Sequence, residues 1–191
     1  AAASIAAGAA GAAVSLADKL DTLVGLSHAG EKATGSRDPF GLRRQMHGIV
    51  RILMDLPDLA GVDRELGLRD LVAAANEPFG GSGGAAVNDA VVAFGHERVR
   101  YVLEQRGYPD EVVRGAISGG ADVVPLRALR LAAALQRMRG ADDFQALAAL
   151  FKRVKNIARE LKEQSPLDRA ALTEPAELAL LTELDARRPR I

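Results

Sequence analysis

With 191 residues, 48% of them hydrophobic, the chain can bury the core of one large or two small domains. Only 4% are aromatic and the apolar remainder is mostly Ala, Leu and Val, which favours helix over strand. The absence of Cys excludes disulfides, thiolate metal sites and cysteine nucleophiles, and the balance of 25 basic against 25 acidic residues excludes indiscriminate, charge-driven nucleic-acid binding while leaving local basic faces open. No apolar run approaches the ~18 residues of a membrane span. The opening "AAASIAAGAAGAA" lacks the basic start and Leu-rich middle of a signal peptide and reads as helix or linker. A cytoplasmic protein is the expectation.

The first predicted helix covers roughly 12–27, with Leu16, Leu20, Leu23 and Val24 on one side. Asp38 before Pro39 has the chemistry of an N-cap and first turn, and predicts a helix carrying Leu42, Met46, Ile49, Val50 and Leu53, interrupted by Pro57. A shorter helix follows around Leu68–Ala75. "EPFGGSGG" at 77–84 predicts a boundary, because such a Gly-rich stretch punctuates structure. Beyond it, helices are expected from Asn88 or Asp89 to Arg106, closed by Gly107, then from Pro109 to Gly119, and from Pro125 to Arg139. Asp142 or Asp143 opens another, with Phe144, Leu147, Phe151, Val154, Ile157 and Leu161 as its buried stripe. Ser165 and Thr173 are candidate caps of two more. No segment alternates with period two, so the fold class is all-α: a helical bundle of 1–76, a linker at 77–87, and a second helical body over 88–191.

Three places carry candidate chemistry. In "SLADKLDTL", Asp18 and Asp21 sit three apart; they read as a metal pair or, more simply, as the polar face opposite the Leu stripe. No partner ligand presents itself: His28, His47 and His96 are not followed by Asp, nor four residues from another His. His47 reads as a packed, hydrogen-bonded residue and His28 as exposed. In "KATGSRDPF", backbone N–H groups at a helix start can accept a phosphate, but the spacing of a nucleotide loop is missing. Lys32, Arg37, Arg43 and Arg44 cluster there; the stretch reads either as an ordinary capped helix start or as a polyanion face, and Arg43, Arg44 and Arg51 on one side of the helix tip the balance slightly towards the face. In "FKRVKNIARELK", Lys152, Lys155, Arg159 and Lys162 make a basic stripe beside the apolar one; it reads as a solvated face or as phosphate contact to RNA. Phe94, Tyr101, Tyr108 and Phe151 are the main aromatics available for base stacking. No nucleophile elbow or triad is present.

Taken together, "VSLADKLDTLVGL", "TGSRDPFGLRRQMHGIVRIL" and "FKRVKNIA" resemble the C-terminal half of the bacterial glycyl-tRNA synthetase beta subunit. The match is long and specific over 14–53, and looser over "ERVRYVLEQRGYPDEVVRGAI" and "EPAELALL". Ala33 stands where the family usually has Pro, and "QMHG" replaces a small apolar run. The family's later "ALRANRLALL" is absent, so a fragment cut at both ends is expected. The resemblance implies that 1–76 closes an HD-like helical domain, that 88–191 leads towards an anticodon-binding domain, and that tRNA(Gly) is the partner. It makes Lys19 a further tRNA-binding candidate, and makes Asp18 the vestige of a metal position whose His and His-Asp partners lie outside the chain. It places ATP and Mg²⁺ with the alpha subunit, or with a fused alpha region, and implies no cofactor and no active site in this segment. The alternatives are an HD-type metal-dependent phosphohydrolase and a purely structural helical scaffold.

Overall fold

In the computed structural model, residues 2–31, 38, 40–80, 84–118, 122–159 and 167–187 are described, and every regular element among them is helical, in line with the all-α expectation. The α-helices are α1 (Ala2–His28), α2 (Leu42–Met54), α3 (Leu56–Ala60), α4 (Leu68–Asn76), α5 (Gly84–Gln105), α6 (Asp110–Ile117), α7 (Pro125–Met138), α8 (Asp142–Ala158) and α9 (Pro175–Arg187), with short 3₁₀ turns at Glu77–Phe79 and Arg169–Ala171. Among the described residues no helix is long and apolar enough to cross a membrane.

The chain divides into two compact units, 1–145 and 146–191. In the first, α1 packs on α2, α3, α4 and α5, while α2 is held between α1, α5 and α7. The Leu stripe of α1 meets the apolar face of α2, so that Leu23, Val24, Met46, Ile49 and Val50 are almost wholly withdrawn from solvent. Each such side chain gains roughly 1.5–3 kcal/mol by burial, and this face fixes the rotation of α2 about its axis. The Ala-rich start of α1 is helix, not linker: Ala12 packs with Leu56 and Ala60 of α3. Gly95 lies buried on α5, where an added Cβ would stand 2.6 Å from Leu68 Cδ1 of α4; the helices approach because nothing is there.

The predicted linker at 77–87 does not divide the chain. Asn76 donates to the Gly84 carbonyl at 3.0 Å and to Asn88 Oδ1 at 2.9 Å, closing the Gly-rich segment at its base, and α5 then packs back onto α4, α2 and α1. The N-terminus of α4 is in turn capped from far along the chain, the Arg69 N–H donating to Asp122 Oδ1 at 3.0 Å. Gly107, at φ 85, ends α5 as expected: Gly107 N–H bonds the Glu104 carbonyl and Tyr108 N–H that of Leu103, the paired bonds of a Schellman turn.

Two local expectations shift. Asp38 is not the N-cap of α2; that position is Gly41, at φ 68, while the Asp38 carboxylate accepts from Arg43 N–H at 3.2 Å. An acid a few residues upstream thus satisfies an orphan donor of the first turn without occupying the cap. On α8 the expected buried stripe is not buried: Leu147, Phe151, Val154 and Ile157 are 55–77% exposed, although they share a face at helical spacing. Periodicity sets which residues share a face; a neighbour is needed to cover it, and among the described residues none does. Leu161 and Ser165 lie outside the described residues. In the second unit Arg169 forms a two-pronged pair with Asp185 of α9, at 2.9 and 3.0 Å.

Candidate nucleic-acid interface

Helix α2 has two faces. Met46, Ile49, Val50 and Leu53 point into the core, and Arg43, Arg44, His47 and Arg51 point the other way, into a groove of about 590 Å³. The far wall is α5, which contributes Arg98 and Tyr101, and the floor includes Gly48, Ile52, Asp55 and Leu59. A second hollow of about 620 Å³ shares His47, Arg51, Asp55 and Tyr101 and continues past Gln105 to Arg106. The structure therefore gathers Arg43, Arg44 and Arg51, as the sequence anticipated, and adds Arg98 and Arg106.

Among the described residues only one carboxylate, Asp55, lines either hollow, and it is engaged. Arg106 Nη2 donates to both oxygens of Asp55 at 2.8 Å, with both side chains about a quarter exposed. This pair ties the end of α5 to the end of α2 and contributes on the order of 1 kcal/mol. Arg44, Arg51 and Arg98 make no ion pair among the described residues. Together with Arg43 they line an open groove.

Lys19 packs against Gly48, one of the groove's residues. Its aliphatic stem lies across α2 at Gly48, where an added Cβ would stand 2.9 Å from Lys19 Cε. Asp18 is exposed on α1, its backbone carbonyl accepting from the Thr22 hydroxyl at 2.9 Å. Among the described residues no three His, Cys, Asp or Glu side chains gather closely enough to hold a metal ion. His28, exposed as expected, stacks on Phe79 and bonds Asn76. Lys152, Lys155 and Arg159 are all exposed and belong to the second unit. Lys32, Arg37 and Lys162 lie outside the described residues.

His47 is a groove residue rather than a packed one. Partial burial lowers its pKa from the ordinary 6.5, and Arg51, Arg98 and Arg106 push it further down. The native state therefore resists a proton that the unfolded chain accepts. The stability this contributes is present above pH 6.5 and is lost as the pH falls through the lower folded value. Between pH 7.5 and pH 5 the melting temperature of His47→Leu should fall less than that of the parent; an equal fall would show that the imidazole is not strained by its neighbours.

Arg98 and Arg106 escaped sequence reasoning because they face α2 from far along the chain, Arg106 lying 51 residues from its partner Asp55; Tyr101 shows in the sequence only as a possible stacking aromatic. Arg98 and Tyr101, three apart, share one side of α5, but nothing in that spacing says which helix lies opposite.

The described residues thus form an all-α scaffold with an arginine-lined groove between α2 and α5. The family model for the glycyl-tRNA synthetase beta subunit matches residues 1–118. Similar curated proteins are the glycine–tRNA ligase beta subunits of Acidobacterium capsulatum, 38% identical over 170 residues (88% of this chain, 23% of the relative), and of Geobacter sulfurreducens, 39% over 172 residues (89% and 24%). That of Thiobacillus denitrificans is 40% identical over 190 residues (94% and 25%). The chain belongs to the glycyl-tRNA synthetase beta subunit family, and it spans about a quarter of the length of the curated relatives it matches.

Proposed function

We propose that the chain is a tRNA-binding region of a glycyl-tRNA synthetase, positioning tRNA(Gly) for ATP-dependent glycylation carried out by the alpha catalytic core. The observation that carries this reading is the groove, where Arg44, Arg51 and Arg98 converge and the one lining carboxylate among the described residues, Asp55, is already paired. Arg44, Arg51 and Arg98, which make no ion pair among the described residues, can meet a phosphate backbone at little reorganisation cost, releasing its counterions. Such contacts fix register and orientation rather than read sequence, which is what positioning requires. The exposed Lys152, Lys155 and Arg159 of the second unit supply a separate contact, and Lys19 adds a cation beside Gly48.

ATP and Mg²⁺ belong, in this reading, to the alpha core. The HD-like relationship of α1 rests on the resemblance of its sequence, with Asp18 as a lone remnant.

The test is equilibrium binding of tRNA(Gly) to the assembled synthetase at ~50 and ~200 mM salt. Binding should weaken steeply across that range, as counterion release demands. Lys152→Glu with Lys155→Glu should weaken it by roughly tenfold or more at the lower salt. Salt-independent affinity would sink the phosphate-face reading, and an unaffected double variant would remove α8 from the interface.

A further inference from the structure

The groove joins two kinds of surface that a bare phosphate would not need together. Arg51 of α2 and Arg98 of α5 face the same space, and both press on the imidazole between them. Beside them Tyr101 is 41% exposed, with the Arg98 guanidinium carbon 5.0 Å from its ring centre and the His47 ring edge-on at 6.0 Å. Ile52 and the half-exposed Leu59 complete an apolar wall.

An inorganic anion gains from the guanidinium groups and nothing from the ring or the wall. An apolar ligand gains from the wall and leaves the charges unanswered. A nucleotide uses both: its phosphate answers the cations, and the flat base covers aromatic and apolar surface. We propose that this groove seats one unstacked nucleotide of the bound RNA, its phosphate between Arg51 and Arg98 and its base laid against Tyr101.

The inference rests on the tRNA-binding reading and narrows it. The volume of 590 Å³ lies within the roughly 300–1,000 Å³ of clefts that enclose small ligands, a scale suited to one nucleotide rather than a duplex. In a paired helix the base faces are stacked away, so the nucleotide comes from a single-stranded end, loop or bulge. Arg98 already lies over Tyr101, and its buried Nε finds no acceptor among the described residues, so the cation is held in the wall without being neutralised. Phosphate at this point meets a charge that the fold has left uncompensated.

The experiment uses the assembled synthetase with Tyr101→Ala, Tyr101→Leu, Tyr101→Phe and Arg51→Gln. Two RNA probes are compared, tRNA(Gly) and a blunt RNA duplex without unpaired residues. Tyr101→Ala and Tyr101→Leu should each weaken tRNA binding about 5- to 100-fold, the worth of one base stack, while the slope of log affinity against log salt stays unchanged. Tyr101→Phe should keep the parent affinity. Arg51→Gln should lower affinity and reduce that slope by about one. Duplex binding should be insensitive to every Tyr101 variant. Tyr101→Leu preserves apolar packing, so unchanged helix content and melting temperature show that its loss is not one of folding. If Tyr101→Leu binds tRNA like the parent while Arg51→Gln still weakens it, the nucleotide seat is wrong and the phosphate face stands. If neither has an effect, both fall.

Discussion

Replacing Arg44 and Arg51 together by Gln is expected to weaken tRNA(Gly) binding on the order of a hundredfold at low salt, and to flatten the log–log salt dependence by about two units. Both side chains are exposed, both line the groove, and neither is held by a carboxylate among the described residues. Removing them therefore costs the fold little, because surface changes away from packed or paired groups usually stay within about 0.5 kcal/mol. Binding is where the loss falls, each missing charge leaving one phosphate unanswered. Arg100→Gln is the matched control. Arg100 sits on α5 too, but it is spent on Glu104 at 2.9 Å and on Asp110, outside the groove. Fluorescence anisotropy with labelled tRNA over a salt series reads both quantities. A double variant with the parent's slope would mean that the phosphates pass elsewhere.

Ile49→Ala should destabilise the first unit by about 2–5 kcal/mol. Ile49 is fully buried at the middle of α2, among Met46, Val50 and Leu53, with the Leu stripe of α1 opposite. Truncation removes three carbons and leaves a void that helices held on several sides cannot close. At about 2–4 °C per kcal/mol for a unit of this size, the melting temperature should drop by roughly 5–15 °C. Calorimetry or circular dichroism measures it. The same helix turn carries His47 and Arg51 outwards, so the core side of α2 also sets where the cations stand. A drop of only a degree or two would mean that α2 is not anchored through this face.

The two faces of α2 were legible in the sequence because a single helix imposes both: period 3.6 sorts Met46, Ile49 and Leu53 from Arg43, Arg44 and Arg51. The groove was only half legible. Its second wall depends on α5 crossing α2, a tertiary fact for which the residues around Arg98 carry no local sign. His47 was misread for the same reason, since a histidine flanked by Met and Gly looks packed until the empty space beside it is seen. Asp38 carried the right chemistry a few residues too early, as capping acids reach backbone donors over several geometries, and Pro39 lies outside the described residues. On α8 the apolar stripe was correctly located and wrongly covered. The Gly-rich segment was read from composition as a boundary; one Asn side chain, invisible to composition, holds its two ends together.

That asparagine gives the segment a particular freedom. With Asn76 gripping both Gly84 and Asn88, the span between α4 and α5 is set by side-chain hydrogen bonds and not by how many residues run between. Doubling such a connection costs only about 0.6 kcal/mol of closure entropy. Evolution can therefore lengthen or shorten the chain here, or graft a new domain into it, while the arginines of the groove keep their places on either side.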